Sequence, residues 1–249
     1  MSRDRSKACA LAILLALLDA SILFAAPASN EFDAHGVRIH YLIEGTGESV
    51  VLVHGLDSSA RINWATPGTM DALAKTHEVI AIDLPGYGQS EKPAGDGADG
   101  EQWIEDILLL LDHLKIRKAH MVGYSMGGIV VLKLIEEHPD RVLSGALGGM
   151  GWLRDGGVLQ RIWAHLRSPA ARGVSRLALT EEQVRSIRTP VIVISGENDK
   201  SRRLYVAPLQ KARREWRVVD IPGANHLTCI YHERFIDELV TWIEGNRQA

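Results

Sequence analysis

From residue 32 onward the sequence predicts an α/β domain built on a largely parallel sheet with helices on both faces, and three observations carry that expectation. Short β-branched runs alternate with longer helical patterns. Several of those runs are apolar throughout, as strands covered on both faces must be. With 249 residues, 46% hydrophobic and 24% charged, the chain can bury one sizeable core.

The first thirty residues stand outside that rhythm. Arg3, Arg5 and Lys7 give a positive start, Ala8 to Leu18 is an apolar run, and Ala26-Pro27-Ala28 places small residues before Ser29. This is the layout of a secretory signal peptide over residues 1–28, so the protein is expected to be exported, periplasmic or secreted. Asp19 makes a spanning helix costly. An uncleaved N-terminal anchor is the alternative, and the one membrane association expected. Cys9 follows Ser6-Lys7-Ala8 rather than a Leu-x-small pattern, so lipidation is not expected. Removal of the leader leaves Cys229 as the remaining thiol, which excludes an internal disulfide. It reads as a small buried residue rather than a nucleophile.

Strands are expected at Val37 to Glu44, Val50 to Val53, Val79 to Ile82, Ala119 to Val122, Val142 to Leu147, Val191 to Ile194 and Arg217 to Ile221. Trp103, Ile104, Ile107, Leu108, Leu111 and Leu114 recur at three- and four-residue spacing, the mark of a helix with one buried stripe. Leu132 with Ile135, and Phe235, Ile236, Leu239 with Trp242, predict two more. Pro93 to Gly100 reads as a surface loop. Residues 151–189 lie between two core strands, carry Trp152, Trp163 and seven arginines, and are expected to form a short cap over the site. The arginines read as a solvated basic face, with attraction for anionic substrates or an acidic membrane surface as the alternative. The core domain is then residues 29–150 and 190–249.

Gly123-Tyr124-Ser125-Met126-Gly127 falls where an expected strand gives way to an expected helix. A G-x-S-x-G pattern alone arises by composition roughly once in ten chains of this size, so the strand–turn–helix context carries the weight. Glycines on either side remove side chains that would clash at a sharp turn, and the helix start points its amides at developing negative charge. A serine hydroxyl needs a base to take its proton and a carboxylate to orient that base. Two strand exits supply both. Val191 to Asp199 presents Asp199, and Ile221 to His226 presents His226, each at the sheet edge that carries Ser125. Asp155 and Glu197 are rival acids. His113 and His138 lie in helical patterns, His120 opens a strand, and His232 lies beyond the loop. His54-Gly55-Leu56 leaves an apolar strand: Gly55 allows close backbone approach to substrate, and the amides of Leu56 and Met126 are the expected oxyanion hole. His54 reads as a group that fixes this loop. Tyr124, Trp152 and Trp163 are the expected substrate walls.

Together with Asp83-Leu84-Pro85-Gly86-Tyr87-Gly88-Gln89-Ser90, these motifs resemble the α/β-hydrolase superfamily over nearly all of residues 32–246. The D-x-P-G-x-G-x-S stretch is similar to that of its esterase, haloperoxidase-like and epoxide-hydrolase-like members. The resemblance implies an eight-stranded, mostly parallel sheet with helices on both faces and a short helical cap. It also implies a serine hydrolase with Ser125, His226 and Asp199 as nucleophile, base and orienting acid. Ser125 stands where epoxide hydrolases and haloalkane dehalogenases, which the sequence also resembles, carry Asp. The expected substrate is a small carboxylic ester. The same machinery serves thioesters, lactones, carbon–carbon cleavage and perhydrolysis, because the distinction lies in the pocket. A catalytically silent ligand-binding module is the reading from another class.

The formal net charge of −3 and the scattered Lys and Arg exclude a basic face for nucleic acid. There is no CxxC, no HExxH and no G-x-G-x-x-G after the first strands, so no metal and no cofactor are expected.

Overall fold

The computed structural model describes residues 26–93 and 100–248. Eight strands form one sheet: β1 (Ala28–Ala34), β2 (Val37–Gly45), β3 (Glu48–Val53), β4 (His77–Ile82), β5 (Ala119–Tyr124), β6 (Val142–Gly148), β7 (Val191–Gly196) and β8 (Arg217–Ile221). Their order across the sheet is β1-β2-β4-β3-β5-β6-β7-β8. The pairs β1/β2 and β2/β4 are antiparallel and the other five are parallel. All seven strands expected from sequence are present. β1 is the addition, an edge strand in which only Phe32 and Ala34 are buried. Its polar, weakly patterned residues gave no apolar run to detect. The expected leader lies, up to residue 25, outside the described residues, as do residues 94–99 of the expected surface loop.

The all-apolar strands are explained by two core layers. Val51, Val53, Ile80, Ile82, Val191 and Val193 face one layer, and Val50, Leu52, Val79, Ala81, Ile192 and Ile194 face the other. Alternate side chains point to opposite faces, so a strand covered on both sides needs apolar residues at every position. The first layer is closed by helices α2 (Gly100–His113), contributing Trp103, Ile107 and Leu111, and α3 (Met126–Glu137), contributing Ile129 and Leu134. The second is closed by α1 (Thr69–Leu73), with Met70 and Leu73, and by the terminal helix α8 (Glu233–Gly245), with Phe235, Leu239 and Ile243. Each such side chain stabilises the fold by about 1.5–3 kcal/mol through burial.

Between β6 and β7 the chain forms α4 (Val158–His165), α5 (Pro169–Arg176) and α6 (Glu181–Ser186), and α7 (Ala207–Ala212) follows β7. The insert is fastened at its neck: Arg154 and Leu179 form a bridge, and the amide of Trp152 donates to the Tyr205 carbonyl at 3.1 Å. α5 lies backbone to backbone on α2, since a Cβ at Gly100 would stand 2.4 Å from the Gly173 carbonyl oxygen. No helix among the described residues is long and apolar enough to cross a membrane.

Candidate active site

The site is assembled from the C-terminal ends of β3, β5, β7 and β8, where loops can diverge without interrupting the sheet. Ser125 is the residue between β5 and α3, with φ 53° and ψ −120°. A side chain rarely adopts that backbone region, and holding it there costs about 1–3 kcal/mol. Packing enforces it. A Cβ at Gly123 would lie 2.1 Å from the Gly127 carbonyl oxygen, and one at Gly127 would lie 2.3 Å from that of Val53. Only glycines let strand, turn and helix approach this closely. The turn is pinned further by the Ser125 amide donating to the Gly148 carbonyl at 2.8 Å.

Ser125 Oγ stands 2.9 Å from His226 Nε2, and His226 Nδ1 stands 2.7 Å from Asp199 Oδ2. Asp199 is buried, and its Oδ1 accepts from the Ser201 amide at 2.8 Å. Burial works to raise its pKa, but the hydrogen bonds from His226 and Ser201 outweigh burial and hold the carboxyl below its usual range. The acid is therefore an anion, and it keeps the His226 proton on Nδ1. Nε2 is left as the acceptor that faces serine. The rival carboxylates are occupied elsewhere: Glu197 accepts from the Gly223 amide at 2.9 Å, and Asp155 is exposed in the insert.

The loop expected to hold the oxyanion follows β3. The Gly55 amide donates to Asn63 Oδ1 at 2.8 Å, and a Cβ at Gly55 would press on the Ser125 Cβ at 3.1 Å. Leu56 comes next, at the cavity wall, and Met126 opens α3, where first-turn amides have no acceptor within the helix. His54 has neither nitrogen available as a base. Its Nε2 accepts from the Leu84 amide at 3.0 Å, so its Nδ1 proton goes to the Gly55 carbonyl at 2.7 Å. Burial lowers its pKa, which keeps it neutral. Asp83 is structural too: it accepts from the amides of Ala60 and Gln89 and from His40.

A cavity of about 350 Å³ opens onto Ser125 and His226. Its walls come from the segments after β3 and β8, including Gly55, Asn63, Ile230 and Tyr231, and from Tyr124 at the end of β5. Tyr124 also donates its hydroxyl to the His226 carbonyl at 2.6 Å, steadying the base. The insert contributes no lining residue to this cavity, which corrects the expectation that Trp152 and Trp163 are its walls. Trp152 is buried and donates from Nε1 to the Leu179 carbonyl at 2.7 Å, while Trp163 donates to the Tyr205 hydroxyl at 2.9 Å. Both fasten the insert rather than face substrate. Six of its seven arginines are exposed, and Arg172 is half-buried.

Sequence reasoning missed Asn63 and Ser201, which hold the loop after β3 and Asp199. Both are single polar residues without a motif, and no pattern could have marked them. It also missed that His77 and His120, far apart in the chain, meet Glu48 at the opposite edge of the sheet.

A family profile described as alpha/beta hydrolase fold matches residues 48–166. Among curated proteins the chain is 30% identical to a 2-hydroxy-6-oxo-2,4-heptadienoate hydrolase of Pseudomonas putida, over 81% of this chain and 76% of that one. It is 29% identical to a 2-hydroxymuconate semialdehyde hydrolase of Pseudomonas sp. (strain CF600), over 82% and 76%. Among solved structures, the 2-hydroxy-6-oxo-6-phenylhexa-2,4-dienoate hydrolase from Rhodococcus sp. strain RHA1 shares the fold with a TM-score of 0.72 at 22% identity, covering 88% of this chain and 99% of that one.

Proposed function

This chain belongs to the α/β-hydrolase superfamily, and we propose that it is a serine hydrolase cleaving small, uncharged carboxylic esters through an acyl-enzyme. One observation carries the reading: the hydrogen-bonded series Ser125–His226–Asp199 faces a cavity whose described lining holds no Lys or Arg, and Asp57 stands in its wall. Ser125 Oγ attacks the acyl carbon as His226 Nε2 takes its proton. The amides of Leu56 and Met126 hold the oxyanion, each worth about 2.7–4 kcal/mol. Collapse expels the alcohol, which takes the proton from His226. Water, deprotonated by the same nitrogen, then releases the acid.

The relatives support a second reading, carbon–carbon hydrolysis by the same nucleophile. Their names denote enol-oxo acids, which are carboxylate anions, and such a substrate calls for a cation or a convergent set of donors where its charge sits. A wall with Asp57 and without a described cation favours the neutral ester. The experiment is a side-by-side measurement of kcat/KM on p-nitrophenyl acetate, butyrate, octanoate and laurate and on a 2-hydroxy-6-oxo-hexadienoate. The ester reading expects turnover that declines beyond roughly eight acyl carbons, as a shallow cavity stops gaining contact. It is overturned if the dienoate is the better substrate. Covalent labelling by a fluorophosphonate, abolished in Ser125→Ala, distinguishes either enzyme from a silent binding module. Export belongs to the same proposal, and N-terminal sequencing of protein from the native host tests it: a chain beginning near Ser29 is expected, and one beginning at Met1 in the membrane pellet would favour the anchor.

A further inference from the structure

We propose that Glu48, His77 and His120 form a binding site for a divalent transition metal of the zinc type, at the sheet edge opposite the triad. The three sit on adjacent strands at their N-terminal ends. Glu48 opens β3 and pairs in register with His77, which opens β4. His120, second in β5, pairs with Val50. Glu48 and Val50 are two residues apart on one strand, so their side chains leave the same face, and the register stacks all three groups there. One ligand atom from each lies within 4.8 Å of the others, and both imidazoles are fully buried.

The proton inventory prepares these groups to bind a cation. Thr76 has one hydroxyl proton and gives it to Glu244. Thr76 Oγ1, 2.9 Å from His77 Nδ1, must therefore accept the ring proton. His77 Nε2 is then an unprotonated lone pair, buried and without a partner among the described residues. A buried acceptor with nothing to accept costs about 1–3 kcal/mol, and a fold that keeps one invites a reason. His120 is placed similarly. Its Nδ1 is held at 2.8 Å by Ser144 Oγ, and its Nε2 faces Glu48 Oε1 at 2.8 Å. A rotation of the Ser144 hydroxyl lets Nδ1 keep the proton and frees Nε2 for the metal. Each imidazole thus has its outer nitrogen held by an oxygen, the arrangement that orients histidine ligands.

Two imidazoles and one carboxylate suit zinc and its first-row neighbours rather than magnesium or calcium, which take oxygen ligands. Glu48, one fifth exposed, is the door to the site. The place in the fold argues for a tie between β4, β3 and β5 rather than a catalytic metal, because Ser125 lies at the far ends of those strands. The inference does not depend on the proposed ester chemistry.

The test uses the full chain, stripped with chelator and dialysed against zinc alone, with bound metal measured by mass spectrometry and competition with a chromogenic chelator. Cobalt substitution adds a visible spectrum that reports coordination. One zinc per chain is expected in the wild type, and Glu48→Gln, which removes a charged ligand, should weaken it at least tenfold, since loss of even the groups that orient such ligands costs about 10–100-fold. Glu48 lies at the surface edge of the cluster, so this variant is expected to fold, and circular dichroism verifies it. His226→Asn, which disables the triad as a stray zinc site, should keep the metal. A wild-type chain that retains no zinc overturns the proposal. So does a loss smaller than tenfold in Glu48→Gln, or metal lost in His226→Asn.

Discussion

Asp199→Asn is the sharpest probe of the triad, because the structure dictates which way the new amide must face. Asp199 Oδ1 accepts from the Ser201 amide and Oδ2 accepts from His226 Nδ1. An asparagine that keeps the first bond places its carbonyl oxygen on Ser201 and its NH2 on His226. Nδ1 then becomes an acceptor, the ring proton moves to Nε2, and the base can no longer take the proton of Ser125. The expected cost is about four orders of magnitude in kcat, or roughly 5.5 kcal/mol of transition-state stabilisation. Folding should change little, since the same volume and both hydrogen-bonding partners are kept. The assay is kcat and KM on p-nitrophenyl butyrate, with the melting temperature as control. KM should move far less than kcat. A loss below tenfold in a folded protein would refute the assignment, and an equal loss in Asp155→Asn would move it to that residue.

Three other perturbations follow from the geometry. Gly127→Ala forces its methyl against the carbonyl oxygens of Val53 and His54 at 2.3 and 2.7 Å, so α3 must shift; about 1–3 kcal/mol of stability and a fall in kcat of up to roughly a hundredfold are expected by calorimetry and ester assay. Burial pushes the Asp106 carboxyl up to about 6, and its Oδ2 has no partner among the described residues. The folded state therefore binds the extra proton between about pH 4 and 6, stability falls as pH rises through that window, and Asp106→Asn should stabilise by up to about 3 kcal/mol at pH 8 and by nothing at pH 4 in urea melts. Cys229 is buried and its thiol is pushed up to about 12, so it should resist a disulfide reagent at pH 8 until the protein is unfolded; rapid labelling of the native chain would contradict its placement.

The sheet and the triad were legible in the sequence because both obey rules of short range. A strand covered on two sides must be apolar throughout, and Val50 to Val53 and Val191 to Ile194 show it. An elbow that leaves no room for a Cβ must carry Gly123 and Gly127. The acid and base follow strand ends in a fixed order, so Asp199 and His226 could be found from strand positions. What could not be read depends on register and loop path. Trp152 and Trp163 look like pocket walls in sequence, and only the fold reveals that Leu179 and Tyr205 claim their N–H groups. β1 is too polar to announce itself. Glu48, His77 and His120 have no shared spacing, because their meeting is a property of strand order across the sheet.

The elbow at Ser125 has a consequence for how such a protein could change its trade. Its conformation is imposed from outside by Gly123, Gly127 and the Gly148 carbonyl, and the serine hydroxyl plays no part in holding it. On the proposed reading, the catalytic power of the chain is confined to a single oxygen atom whose removal leaves the cavity, the Leu56 and Met126 amides and His226 where they stand. A lineage could become a receptor for its former substrate by one substitution, and return by reversing it, with no passage through a misfolded ancestor.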